Sequence, residues 1–171
     1  PKQELIAKLK AAGVVVIPSI GAAKHAKKVA SWGADAVIVQ GGEGGGHTGP
    51  VATTLLLPTV LGAVDIPVGA AGGMFEGRGL GPARAGLCPG RGPAAAAAYG
   101  AAGVAMGTRF LLTQESTVPD SVKQEYLARG LQDTTVSRKV DGMPHRVLNT
   151  ELVDSLEHSG NVRGLVAAAR N

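Results

Sequence analysis

The chain has 171 residues, of which 26 are glycine, 44% are hydrophobic and only 3% are aromatic. This is the balance of an Ala/Val/Leu-packed α/β protein able to bury a sizeable core. The net charge of +4 includes lysines that read as a solvated helix face (Lys24, Lys27, Lys28), and aromatic platforms for stacking bases are nearly missing, which argues against a nucleic-acid partner. A single cysteine, Cys88, rules out an internal disulfide framework and a cysteine-rich metal site and suits a reducing cytoplasm, and no apolar run approaches the about 20 residues that span a membrane.

In chain order, residues 2–12 set Leu5, Ile6, Leu9 and Ala12 at helical spacing, with Gly13 as the stop. Val14-Val15-Val16-Ile17 is a continuous apolar run, the pattern of a parallel strand buried on both faces. Residues 22–32 predict a second helix, with Ala22, Ala26, Val29 and Ala30 inward and lysines outward, closed by Gly33. A strand follows at 36–39. Residues 51–64 read as an apolar helix that Pro58 kinks or divides. A short strand at 66–71 ends in Gly72-Gly73, a short helix covers 94–100, and a strand at 103–106 leads into Gly107-Thr108-Arg109-Phe110. Four strands alternating with helices predict a parallel sheet with right-handed crossovers.

The most informative stretch follows the strand at 36–39: Gln40-Gly41-Gly42-Glu43-Gly44-Gly45-Gly46-His47-Thr48-Gly49. A flexible linker is also glycine-rich, but it seldom follows an apolar strand directly. Glycine admits positive φ and lets a ligand approach the main chain, as phosphates and flat aromatic rings require. An imidazole in such a loop, His47, is suited to proton transfer near neutrality.

Each strand carries its unusual residues after its C-terminal end: Pro18-Ser19-Ile20-Gly21, the His47 loop, Gly72-Gly73 and Gly107-Thr108. In a (β/α)8 barrel that end is the active-site face, and the last two turns commonly bind phosphate through backbone amides. A doubly wound sheet also binds ligands at strand ends. The two successive glycine turns, one unit apart, favour the barrel.

Three ordered motifs carry a family resemblance. They are residues 33–41 with 43–49, then Ala70-Ala71-Gly72-Gly73 with Glu76-Gly77-Arg78-Gly79, then Gly103-Val104-Ala105-Met106-Gly107-Thr108-Arg109-Phe110-Leu111. Together they resemble the nitronate monooxygenase family, also called 2-nitropropane dioxygenases, which includes flavin-dependent enoyl-thioester reductases. Gly142-Met143-Pro144-His145-Arg146-Val147-Leu148 continues the likeness.

The resemblance implies an FMN-binding TIM barrel with a small helical domain near its C-terminus. Residues 1–113 are then the C-terminal half of the barrel, and 114–171 an incomplete helical extension. Eight units need about 250 residues and four are visible, so the natural chain is expected to continue upstream of Pro1. The half-barrel alone is expected to expose sheet edges and apolar strand residues, favouring aggregation or a homo-oligomer. By the same resemblance, Gln40, Gly45 and Gly46 contact the flavin, Gly72 and Gly73 give amides to the FMN phosphate, and Met106, Gly107 and Thr108 complete that cradle. His47 occupies the place of the catalytic histidine.

The implied activity is oxidation of nitronates or nitroalkanes with molecular oxygen, His47 acting as acid/base. The loop departs from the family pattern, with Gly44 where Ala is usual after the Glu and Thr48 where Arg is usual after the His. That variant resembles a mycobacterial-type branch that oxidises a CoA-linked intermediate of steroid-ring breakdown. A flavin-dependent dehydrogenase or enoyl reductase on a CoA thioester, with NAD(P)H or another acceptor, is the alternative. A truncated inactive fragment is the third reading.

Other residues stay open to two readings. Arg109 pairs with phosphate or with a structural acid, and Thr108 binds phosphate or caps the next helix. Glu43 reads as an organiser of its loop, His25 and His158 as inert, and His145 as a loop residue. No clustered metal ligands are visible in the sequence. Residues 81–93, rich in Gly, Pro, Ala and Arg, stand as an atypical insertion without the periodicity of a packed element. A misread stretch of GC-rich coding sequence and a genuine insertion are both open.

Overall fold

The computed structural model describes residues 2–74 and 91–158. In chain order the elements are α1 (Gln3–Ala11), β1 (Ser19–Ile20), α2 (Ala23–Ser31), β2 (Val37–Gln40), β3 (Gly46–His47), α3 (Thr53–Leu61), β4 (Val68–Ala71), α4 (Arg91–Ala98), β5 (Gly103–Ala105), α5 (Thr108–Leu111), α6 (Asp120–Leu127), β6 (Thr134–Ser137), β7 (His145–Leu148) and α7 (Glu151–His158). They divide into two compact units. Unit 1 is Pro1–Gly44 with Gly49–Arg109, and unit 2 is Gly45–Thr48 with Phe110–Asn171.

Unit 1 is a four-stranded sheet in the order β1-β2-β4-β5, every pair parallel. Among the described residues a helix lies in each crossover from β1 onward, α2, α3 and α4 in turn. Val37 and Val39 of β2 are fully buried, while Ile38 and Gln40 between them are only half-buried. The buried set packs with Ile6, Ala26, Val29, Leu56, Leu57, Val60, Val68, Ala70 and Ala96. Each fully buried Val or Leu side chain contributes roughly 1.5–3 kcal/mol.

The first strand is displaced from its expected place. Residues 14–17 form no ladder, and Val15 and Ile17 stay 68% and 49% exposed. Asp35 holds this stretch instead: its carboxylate accepts the Val16 amide at 2.7 Å and pairs with Lys10, and its own amide donates to Val16 O at 2.9 Å. Pairing begins only at Ser19, opposite Ile38. The helix expected at 51–64 is shortened to α3, and it runs undivided through Pro58. Burial of Leu56, Leu57 and Val60 on one face offsets the about 3 kcal/mol cost of an interior proline. The helix expected at 94–100 starts three residues earlier, so residues 91–93 of the expected insertion open α4. Its remaining residues, 81–90, lie outside the described residues.

Unit 2 differs from the helical extension expected from sequence. Beside α6 and α7 it holds a three-stranded antiparallel sheet, β3-β7-β6. The β-branched run Thr134-Thr135-Val136 suits a strand, and it pairs with Leu148, Val147 and Arg146. Arg146 donates to Thr134 Oγ1 at 2.9 Å, and Ser137, 2% exposed, bonds the Glu157 carboxylate of α7. Among the described residues, no helix is long and apolar enough to cross a membrane.

Candidate functional site

The glycine loop is divided between the units at Gly44/Gly45 and again at Thr48/Gly49. Residues 40–44 are locked into unit 1. Gly41 N–H donates to Ala71 O at 3.1 Å, Gly42 N–H to Val51 O at 2.7 Å and Gly44 N–H to Gly41 O at 3.0 Å. Glu43 organises the turn as expected. Its carboxylate accepts the Thr53 amide at 3.0 Å and the Thr53 hydroxyl at 2.8 Å. Thr53 is the first residue of α3, where the amide lacks an intrahelical acceptor and a negative charge is favourable.

Packing leaves no room for a side chain at Gly41 and Gly44, nor at Gly72 beside them. A Cβ on Gly41 would lie 2.1 Å from Thr53 Oγ1 and 2.4 Å from its amide nitrogen, and one on Gly44 would lie 2.6 Å from the Gln40 side chain. Gly72, with φ +90°, would place a Cβ 3.0 Å from Gly44 N and 3.1 Å from Thr53 Oγ1. The Gln40 side chain is thus seated against the backbone of Gly44, beneath the loop it introduces.

The two glycine turns leave adjacent strands at the same end, because β4 and β5 are parallel with Ala71 opposite Ala105. Among the described residues, Gly73, with φ +71°, has the Glu43 side chain near its Cβ direction, at 3.7 Å, and Gly107 has nothing within 4 Å. Gly107, Thr108 and Arg109 are exposed and Met106 is half-buried. Among the described residues, these turns form a cradle of main chain at this end of the sheet.

Gly45, Gly46 and His47 belong to unit 2. Gly46 takes φ +74° and pairs with Arg146, and His47 pairs with His145 across the β3–β7 ladder. Directly opposed residues of an antiparallel pair share one face of the sheet. The two imidazoles accordingly approach to 3.7 Å between centroids, tilted by 47°.

Asp141, in the turn before β7, completes the group. Its Oδ2 is 2.9 Å from His47 Nε2, and its Oδ1 is 3.3 Å from His145 Nδ1 and accepts the Met143 amide at 2.9 Å. The Met143 amide first, then the bond from His47, hold the Asp141 carboxyl below its usual range. An ionised carboxylate only accepts, so His47 Nε2 donates to Asp141.

This arrangement corrects two expectations. His145 is a strand residue, not a loop residue, and metal-ligating side chains do cluster: one ligand atom from each of His47, Asp141 and His145 lies within 4.8 Å of the others. The sequence held a partial signal in the turn dipeptide Asp141-Gly142 and the short strand that follows. The pairing partner of that strand, 94 positions from Asp141, left none.

The sequence profile of the nitronate monooxygenase family matches residues 1–169. The chain belongs to that family. It is 86% identical over 171 residues to the (3aS,4S,5R,7aS)-5-hydroxy-7a-methyl-1-oxo-octahydro-1H-indene-4-carboxyl-CoA dehydrogenase of Rhodococcus jostii (strain RHA1), matching 100% of this chain and 45% of the relative. The protein of the same name from Mycobacterium tuberculosis (strain ATCC 25618 / H37Rv) is 68% identical over 174 residues, with the same two coverages. Among solved structures, FabK of Thermotoga maritima superposes with a TM-score of 0.82 at 37% identity, covering 98% of this chain and 50% of that one.

The chain spans about half the length of the curated relatives it matches. Within the nitronate monooxygenase family, its parallel sheet is about half of a (β/α)8 barrel.

Proposed function

We propose that this chain is part of an FMN-dependent oxidoreductase that dehydrogenates a CoA thioester of a hydroxylated bicyclic carboxylic acid. The observation that carries the substrate class is the 86% identity over the entire chain to a dehydrogenase named for such a thioester. The cofactor reading is supported by the main-chain cradle at Gly72, Gly73, Met106, Gly107 and Thr108. The positive φ of Gly73 and the space at Gly107 among the described residues fit a phosphate group received by backbone amides. Gln40, Gly45 and Gly46 are assigned to the flavin ring.

Bound FMN would supply two-electron chemistry, accepting hydride from the substrate. The chain's own contribution is the proton. Dehydrogenation removes one hydride and one proton, and His47 takes the proton while Asp141 orients the ring through Nε2. An anionic partner at Nε2 fixes the ring orientation and stabilises the imidazolium that forms.

A second reading, oxidation of nitronates with molecular oxygen, is favoured by the family match over residues 1–169. His47 would then hold the proton of a carbon acid next to a nitro group. Substrate choice separates the two. The protein extended to the length of its relatives, reconstituted with FMN, is expected to show the flavin absorbance band and to turn over the indene-carboxyl-CoA thioester faster than a nitronate. His47→Gln should lower kcat by roughly 10²–10⁴-fold with the flavin band retained. Gly107→Val should weaken FMN binding by filling the cradle. Absence of FMN binding overturns the cofactor assignment, and preference for the nitronate selects the second reading.

A further inference from the structure

We propose that His47, Asp141 and His145 form a binding site for a divalent transition cation of the zinc class. The inference does not depend on the flavin assignment. It rests on donor chemistry and placement within unit 2: two imidazoles and one carboxylate, each offering an atom within 4.8 Å of the other two. Ligand atoms about 2.0–2.1 Å from a tetrahedral zinc ion are about 3.4 Å apart, so the three donors need only small side-chain movements to close on one ion. His47 Nε2 and Asp141 Oδ2 are already 2.9 Å apart.

The backbone holds the donors in place. The β3–β7 register puts His47 and His145 on one face of the ladder, and Thr48 N–H to Pro144 O at 3.0 Å extends the pairing beyond the histidines. Asp141 is fixed from behind by the Met143 amide on Oδ1, which leaves Oδ2 toward His47. His145 Nδ1 lies 3.3 Å from both Asp141 Oδ1 and Met143 O, so this ring is held against the Asp141 turn.

Exposure points the same way. The His145 side chain is 15% exposed, against 53% and 44% for His47 and Asp141. One ligand is anchored within the fold and two stand at the surface, so an ion has an entry path and a position left for water. Three protein ligands with an open fourth position is a known zinc arrangement. Two imidazoles select a borderline ion over magnesium or calcium, which require oxygen donors.

His47 is also the proposed proton acceptor, so a bound ion and proton transfer compete for the same side chain. Zinc is therefore expected to inhibit the enzyme, but the test does not depend on turnover. The purified full chain, freed of metal, is titrated with Zn²⁺ by calorimetry and, separately, with Mg²⁺. One equivalent of Zn²⁺ should bind with micromolar or tighter affinity, and Mg²⁺ should not bind. Asp141→Asn and His145→Gln should each weaken zinc by about tenfold or more, while Cys88→Ser and His158→Gln leave it unchanged.

Because a variant can fail to fold, the histidine ring resonances of the unaltered protein are followed as Zn²⁺ is added. Shifts at His47 and His145, with none at His25, are the expected result. No saturable binding at millimolar Zn²⁺, unaltered affinity in both folded variants, or shifts confined to His25 or His158 would overturn the proposal.

Discussion

Residues 41–44 and 45–48 are consecutive stretches of one glycine loop, yet different forces hold them. The first stretch is fixed by partners close in sequence: Val51, Thr53 and the end of β4 reach it through short main-chain bonds and one carboxylate. The second holds a strand, Gly46–His47, whose partners Arg146 and His145 lie far along the chain, in β7. Both stretches are rich in glycine. What differs is where the hydrogen-bonding groups of the backbone find their complements, and glycine serves opposite ends: close approach at Gly41 and Gly44, open space at Gly45 and Gly46.

The largest expected effect tests the core that supports the first stretch. Leu57→Ala removes a fully buried side chain and should cost about 2–5 kcal/mol, read as a fall in the denaturation midpoint and faster amide exchange in Val37–Gln40. A loss under about 1 kcal/mol would mean that the site collapses around the cavity. Gly41→Ala comes next. Its Cβ would strike the backbone of Thr53 as well as its hydroxyl, so about 1–3 kcal/mol or more is expected, with Glu43 drawn off the start of α3. A crystal structure of the variant with Glu43 still on the Thr53 amide would show that the loop tolerates the crowding.

Thr53→Val keeps the shape and deletes the hydroxyl. About 1–2 kcal/mol is expected, because the Glu43 carboxylate loses one of its donors. In unit 2, Thr134→Ala removes the Arg146 bond between β6 and β7 and should cost about 0.5–1.5 kcal/mol, read at the amides of Thr134–Ser137. A larger loss there would make the ladder the more brittle of the two regions.

The smallest effect is a matter of pH. Asp35 is held below its usual range, first by the bond from Lys10 and then by the Val16 amide. A carboxyl lowered on folding adds stability that is fully present above its unfolded pKa and is lost as pH falls through its lowered folded pKa. Asp35→Asn should therefore flatten the acid side of the stability curve below the ordinary aspartate range and leave the neutral side's slope unchanged. An acid limb of unchanged slope would show that the Val16 and Lys10 contacts do not survive in solution.

Much of unit 1 was legible because its signals are local. A parallel sheet covered by helices writes short apolar runs at period 2 and longer ones at period 3.6, and its ligand-binding turns follow the strands in sequence. The strand at 14–17 was misplaced because hydrophobicity reports burial but not pairing, and the chain there is held by Asp35 rather than by a neighbouring strand. β6 was missed although Thr134-Thr135-Val136 favours a strand, because two threonines and one valine carry no apolar alternation and the buried residue of the strand, Ser137, is polar.

The sequence by itself determined the α/β class, the order of the parallel strands and helices, the glycine turns after β4 and β5, and the singular place of His47 among glycines. Those features depend on backbone preference and on hydrophobic spacing over a few residues. Only the tertiary structure decided that the glycine loop divides between two units, that Glu43 caps α3 through Thr53, and that His47 meets Asp141 and His145. Contacts across 94 positions of chain depend on antiparallel register, and register is set when the whole ladder forms, not by any spacing visible along the sequence.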